Sequence, residues 1–318
     1  HTVTFSYECY SVQPLTSTEL LALELPDTTM VESGLLHKGS RLIVAGEAGS
    51  GKSYLTLQLL LESAMGESWF GLFPLRQEFS CLYIQTEITQ GLLKDRLLRW
   101  QAKYRLPEIY IETRKSFTIV HEQQSVLEFV QAHNVDIIGF DPLYQMHLGD
   151  ENMVHTIRPA EDAFDFIVGD QRAALIDHHI NKASQFQGSK PALTWLRGSS
   201  AWAGWADTVF LVLSQPGLTT MWLHIIKARN CPKALPGAIE LKWQPEGGKF
   251  LQVTEIREDS EFVDLLDIVG TLNKRGAVAR ELMERRGVAK SKAYQIIAQA
   301  LRLDIIQEVS DQLVLRGE

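Results

Sequence analysis

Apolar positions along this chain fall into two rhythms. Residues 41–45, 79–86, 135–141, 173–177 and 208–213 are apolar at nearly every step, the form of strands buried on both faces of a parallel sheet. Residues 54–61, 91–104 and 125–132 instead repeat their apolar positions at helical spacing. Short strands are predicted at 109–112 and 117–120. Such alternation of strand and helix predicts an α/β fold with a doubly wound, mostly parallel sheet. A strand at 221–228 and a hairpin of 239–244 with 250–256, turning at Glu246-Gly247-Gly248, close the domain.

The ends read differently. Residues 3–10 look strand-like and 18–25 helical, and Pro26-Asp27 and Ser33-Gly34 then punctuate the chain. This makes 1–33 an N-terminal arm, packed on the core or on a neighbouring subunit, and 34–256 the main domain. A charged linker opens 257–318, where 262–272, 277–286 and 291–303 read as helices and 304–309 with 312–316 as a hairpin. Ser291 is the N-cap candidate of the last helix. Helix, helix, turn, helix, hairpin is the winged-helix pattern. Between Lys274 and Arg302 stand eight Lys/Arg and two Glu, a local +6 that suits a phosphate-facing surface led by Ser291, Lys292, Tyr294 and Gln295. Winged helices also dock proteins, so both uses stay open.

Composition narrows the class. The 318 residues are 45% hydrophobic and 22% charged, with no apolar run long enough to span a membrane, so a cytoplasmic globular protein is expected. The net charge of −8 argues against a protein that coats nucleic acid with its whole surface, though not against a local basic channel. Cys9, Cys81 and Cys231 are widely separated, suit a reducing compartment and give no metal spacing.

The chemistry centres on Gly46, Glu47, Ala48, Gly49, Ser50, Gly51, Lys52 and Ser53, a G-x-x-x-x-G-K-[ST] loop between a predicted strand and a predicted helix. Glycines let the backbone curl with its N–H groups inward, and the helix that starts near Tyr54 adds its positive end, so a polyphosphate replaces water there. Lys52 would meet the β- and γ-phosphates, and Ser53 would give its hydroxyl to Mg²⁺. Ligands of open parallel sheets bind at the carboxyl ends of strands. Glu87 stands there as a general base for an attacking water, and Asp141 there as the carboxylate that holds Mg²⁺ through water.

Three further groups extend the site. His178 and His179 end a strand and point to opposite faces, so they cannot share a metal ion, but one can face the γ-phosphate. Residues 181–196 are polar, with Lys182 and Lys190, and run into Arg197, a composition that suits a polyanion. Lys227 and Arg229 share one face of a strand, from which an arginine finger can reach a neighbour's nucleotide if the chain forms a ring.

The motifs GEAGSGKS, the strands ending at Glu87 and Asp141, LIDHHINKAS, RGSSAWAGWADTV and IIKARNCPKA resemble, in order and over residues 34–256, the RecA-like hexameric ATPases, and among them the plasmid RepA-type helicases. The resemblance implies a RecA-like P-loop core and hydrolysis of Mg²⁺-ATP between subunits of a ring, which draws single-stranded or forked DNA, or RNA, through its centre. It implies replication or repair proteins as partners. It makes Lys52 and Ser53 the phosphate and Mg²⁺ ligands, Glu87 the base, Asp141 the Mg²⁺ and water ligand, and His179, or failing that His178, the γ-phosphate sensor. Residues 225–230 look like the KxRN segment of DnaB-type helicases, which makes Lys227 and Arg229 fingers acting in trans. A chain with this core also fits a nucleotide-switched DNA-binding regulator, or a recombination mediator that forms open filaments.

Overall fold

A computed structural model describes residues 14–149, 153–181, 192–196, 200–214, 219–231, 238–252, 265, 268–269, 272–302, 306–309 and 311–315. Its centre is a nine-stranded sheet in the order β11-β10-β9-β8-β3-β7-β6-β4-β5. Six strands run parallel: β3 (Arg41–Gly46), β4 (Cys81–Gln85), β5 (Tyr110–Thr113), β6 (Ile137–Asp141), β7 (Ala173–His179) and β8 (Thr208–Ser214). Antiparallel β9 (Thr220–Ala228), β10 (Ala238–Gln244) and β11 (Lys249–Gln252) extend one edge.

The inner strands β3, β4, β6, β7 and β8 are buried on both faces because they are apolar at successive positions. Leu42 and Val44 of β3 pack with the helix α2 (Lys52–Met65) and with Trp69, Trp100 and Phe210. Ile43 and Ala45 pack on the other face, against α4 (Ile119–Ala132) and α6 (Val154–Val168). Helix α2 lies close to the sheet at Gly139, where an added Cβ would stand 2.6 Å from Leu60 Cδ1. Helices α3 (Gln90–Gln101), α5 (Leu143–Met146) and α7 (Ser200–Trp205) complete this unit, preceded by a short α1 (Ser17–Leu21).

Several expectations change. The strand expected at 117–120 is the lead-in and first turn of α4: buried Phe117 and Ile119 begin a helical stripe that continues at Val126 and Val130, which near a chain turn imitates strand alternation. Residues 201–206 are mostly helix α7. The first strands, β1 (Thr29–Val31) and β2 (Leu36–His37), pair antiparallel, and Met30 and Val31 are buried, so the core takes in residues ahead of position 34. Helix α1, by contrast, buries none of its residues, and Leu15, Leu20, Leu21, Leu23 and Leu25 are all exposed. The strand expected at 3–10 lies outside the described residues.

Near the C-terminus, α8 (Arg275–Arg286) and α9 (Lys290–Arg302) are joined through Gly287 in the left-handed conformation, φ 62°. Strands β12 (Ile306–Val309) and β13 (Gln312–Leu315) pair antiparallel, and Leu313 N donates to Asn273 O at 2.7 Å. Val278, Leu282, Ile296, Ile297, Ile306 and Leu313 are buried. Ser291 is not the N-cap: α9 starts one residue earlier, and Ala293 N donates to Ala289 O, so the helix opens at Ala289.

Candidate nucleotide site

The loop after β3 is built from backbone that only glycine adopts easily. Gly49 and Gly51 have φ of 76° and 93°. At Gly46 an added Cβ would stand 2.6 Å from Ser50 Oγ and 2.9 Å from Val212 O, and at Gly51 one would stand 2.9 Å from Met221 Cε. At Gly49 nothing lies within 4 Å, so the loop is crowded from below and open at its crest. Helix α2 starts with no side-chain cap, which leaves its first N–H groups for an anion. Lys52 is buried, and its Nζ donates to Gly46 O at 3.0 Å and Glu47 O at 2.8 Å. Burial lowers the Lys52 pKa, opposed by the Asp177, Asp141 and Glu87 carboxylates. Ser50 Oγ is buried with no partner among the described residues. A glycine-built loop, an uncapped helix start, an ammonium bonded among the described residues to two loop carbonyls and a hydroxyl without a partner among them fit a polyphosphate.

Asp141 ends β6 beside β4, level with Gln85, and is 1% exposed. Tyr83 donates to its Oδ2 at 2.5 Å, and Ser53 also hydrogen-bonds it. Behind it lies fully buried Asp177, which takes the Thr56 hydroxyl on Oδ1 and is hydrogen-bonded to Asp141. Burial raises the pKa of both carboxyls, that of Asp177 well above its ordinary value, with the Asp141 charge adding to the effect. Each buried carboxyl is thus pushed towards its protonated form, Asp177 the more strongly. Among the described residues no cluster of three or more His, Cys, Asp or Glu forms a metal cage. A hydroxyl and a carboxyl group beside a phosphate cradle suit Mg²⁺, which keeps waters and takes phosphate oxygens as ligands.

The raised Asp177 pKa has a stability consequence. A carboxyl whose folded pKa is raised makes unfolding release a proton once pH passes the unfolded value near 3.8, so the parent chain loses stability as pH rises from there towards the folded value. The amide of Asp177→Asn does not titrate. The nucleotide-free variant is therefore expected to melt above the parent, by a margin that widens as pH is raised from about 4 in thermal-melting scans. A constant margin across pH would show that the fold does not raise the Asp177 pKa.

Glu87 stands two residues beyond β4, exposed, and Tyr144 donates its phenol O–H to Glu87 Oε1 at 2.8 Å. The Tyr144 ring lies 5.0 Å from the His179 ring. His179 is half-buried and level with Gly46 across the β3–β7 pair, whereas His178 is fully buried, 6.3 Å from the Trp202 ring. Of the two histidines, His179 is the one on the side of Glu87 and Tyr144.

Lys227 and Arg229 stand at the other end of the sheet. Ala228 pairs with Thr208, which pairs with Leu42, four residues before Gly46. Lys227 Nζ donates to the carbonyls of Ala203, Gly204 and Ala206. Arg229 donates to Asp207 Oδ1 and Gly204 O, both at 2.9 Å, and its side chain is 50% exposed. Ser291 and Lys292 are exposed on the first turn of α9. Lys182, Lys190 and Arg197 lie outside the described residues.

Sequence reasoning missed Tyr83, Thr56, Asp177 and Tyr144 as parts of this site. It also missed Arg96, whose guanidinium lies 4.0 Å above the Tyr54 ring with Nη1 buried and unpaired among the described residues. Asp177 was open to detection, as a charge that closes an otherwise apolar strand.

Comparison with known proteins follows this geometry. No described helix is long and apolar enough to cross a membrane. No curated protein sequence matches the chain. A solved structure of an ATPase domain is similar with a TM-score of 0.57 at 12% identity, over 74% of this chain and 95% of that one. A DnaB-like replicative helicase, solved for its interactions with primase, is similar with a TM-score of 0.53 at 12% identity, over 67% of this chain and 59% of that one. The chain thus spans less than two thirds of that helicase. These likenesses show the fold, a RecA-like P-loop NTPase core with a large, mostly parallel sheet. The family model described as AAA domain matches residues 10–185, more than half of the chain and all of the stretch from Gly46 to His179, so the chain belongs to the AAA domain family.

Proposed function

We propose that the chain is one subunit of a ring-forming, Mg²⁺-dependent ATPase that moves on or unwinds nucleic acid, most directly single-stranded or forked DNA. The observation that carries this reading is the division of its charged groups. Lys52, Ser53, Glu87 and Asp141 meet at one end of the parallel strands, while the finger candidates Lys227 and Arg229 stand at the other, about 13 Å away at ~3.3 Å per strand residue. One chain then holds half a site at each end, and a ring of copies completes every site. The exposed leucines of residues 15–25 give the arm an apolar surface for a neighbouring copy to cover.

In this reading Lys52 and the loop N–H groups hold the β- and γ-phosphates, and the Arg96–Tyr54 stack offers a platform for the base. Ser53 and Asp141 would hold Mg²⁺, which when bound neutralises charge on the phosphate oxygens. Glu87 takes a proton from the attacking water, and His179 senses the γ-phosphate. The hydrolytic unit covers 34–256. Residues 257–318 act as a winged helix that offers Ser291 and Lys292 to nucleic acid, together with Lys182, Lys190 and Arg197 of the main domain, or that docks a replication or repair protein. The site of action is the cytoplasm.

A strand-displacement assay on forked DNA tests this. Displacement that requires Mg²⁺-ATP and is abolished by Glu87→Gln is the expected result. Tight DNA binding with hydrolysis and no displacement would overturn the motor in favour of a nucleotide-timed DNA-binding regulator, and open filaments in micrographs would favour a recombination mediator.

A further inference from the structure

We infer that Tyr144 is the positioning residue of the catalytic base, and that it joins Glu87 to the γ-phosphate sensor through one ring. The inference rests on the reading of Glu87 as the base that activates water. Glu87 itself is exposed and stands beyond the end of its strand, where a free glutamate side chain samples several rotamers. A general base has to meet its water within hydrogen-bond reach and in line with the phosphorus, so something has to fix it.

Tyr144 has the geometry for this. It lies in the short helix α5, which starts directly after Asp141-Pro142 and is anchored by fully buried Leu143 and Met146. The turn between those anchors presents Tyr144 and Gln145 outwards. The phenol donates to Glu87 Oε1 at 2.8 Å and accepts from Gln145 Nε2 at 2.9 Å, so its lone pair is occupied and its proton is directed at the carboxylate. Burial, and then the bond to Glu87, raise the phenol's pKa, which keeps it a donor at neutral pH. One carboxylate oxygen is held and Oε2 is left for the water. The same ring lies 5.0 Å from the His179 imidazole, tilted by 44°. A movement of His179 towards a γ-phosphate therefore changes the packing of the ring that holds the base.

None of this follows from the loop motif. Among the described residues the hydroxyl of Tyr144 bonds to Glu87 and Gln145, not to the phosphate loop, and its ring packs on His179. Its effect belongs in turnover, not in nucleotide binding.

The test is a double-mutant cycle on the full chain with Mg²⁺-ATP. Tyr144→Phe keeps the ring and removes the hydroxyl. It is expected to lower kcat about tenfold, with KM, nucleotide Kd and melting temperature unchanged. Glu87→Gln is expected to lower single-turnover hydrolysis by about 10² to 10⁴. Adding Tyr144→Phe to Glu87→Gln should cost nothing more, because the group it positions is gone. Gln145→Leu should give a smaller loss of the same kind. An unchanged or raised kcat in Tyr144→Phe, or losses that multiply in the double variant, would overturn the inference and leave the ATPase reading intact. Full hydrolysis by Glu87→Gln would overturn both.

Discussion

Arg229→Ala is expected to lower ATP turnover by about 10³ to 10⁵ in the assembled protein while leaving nucleotide affinity close to that of the parent. The magnitude comes from the charge that accumulates on the transferred phosphoryl group, which a guanidinium from a neighbour would neutralise. The direction comes from topology. Strand β9 runs antiparallel to β8, so its end at Ala228 lies level with Leu42, at the opposite end of β3 from the phosphate loop. Arg229 thus stands away from its own Lys52, and the proposed finger would act on the nucleotide of a neighbouring copy.

Its setting suits that role better than that of Lys227. Lys227 is drawn onto three carbonyls around the end of α7 and caps that helix. Arg229 shares the buried Asp207 carboxylate with Arg41, which lies 3.0 Å from Asp207 Oδ2 and 2.8 Å from Asp165. One edge of its guanidinium is fixed by this network, and half of the side chain remains exposed. A guanidinium aimed in advance loses less entropy when it engages a phosphate. Mixed assemblies give the decisive measurement. Subunits carrying Arg229→Ala retain an intact loop, and subunits carrying Lys52→Ala retain an intact finger, so mixing two inactive proteins should restore hydrolysis at the interfaces that join them. If Arg229→Ala hydrolyses at the parental rate, or the mixture stays inactive, the finger assignment is wrong.

The sheet and the loop were legible in the chain because they depend on local rules. Continuous apolar runs such as 135–141 can be buried only as inner strands, and the glycines between Gly46 and Gly51 answer to φ values near 76° and 93° that other residues resist. The positions of Glu87 and Asp141 followed from the same logic, since strand ends are where parallel sheets place ligands. What stayed hidden depends on contacts distant in sequence. Tyr144 reads as an ordinary polar aromatic until 57 positions of separation from Glu87 close to one hydrogen bond. The pairing of Tyr83 with Asp141 is of the same kind, because a tyrosine inside an apolar strand reads as core until its hydroxyl finds a partner. The helix start at Ile119 was misread because two buried residues two apart carry a strand's period and a helix's entry equally well.

Lys249→Ala is expected to destabilise the chain by about 3–5 kcal/mol, the cost of leaving a buried charge without its partner. Glu62 sits in the last turn of α2, fully buried, and Lys249 of β11 meets its Oε1 at 2.9 Å. Gln58 Nε2 donates to the same oxygen at 3.0 Å, and Phe70 N donates to Oε2 at 3.1 Å. Gln58 also exchanges two hydrogen bonds with the Phe250 backbone, at 2.6 and 2.7 Å, so β11 is tied to the helix that follows the phosphate loop. The ammonium lies over Trp100 and Tyr104, 5.1 and 5.0 Å from their ring centres, where an apolar replacement finds cover. Burial raises the Glu62 pKa and the Lys249 charge opposes that rise, so removing Lys249 drives it higher. A protonated Glu62 needs no cation. The variant's deficit should therefore be largest above neutrality and shrink as pH falls through the raised pKa, which thermal melts at two pH values would show. The double variant Glu62→Gln with Lys249→Met should recover part of the loss, since the neutral amide oxygen still accepts one of the two bonds from Gln58 Nε2 and Phe70 N while the methionine fills the space over the aromatic rings. A Lys249→Ala deficit under 1 kcal/mol, or one that does not shrink on acidification, would show that the pair does not hold β11 to α2 as an ion pair.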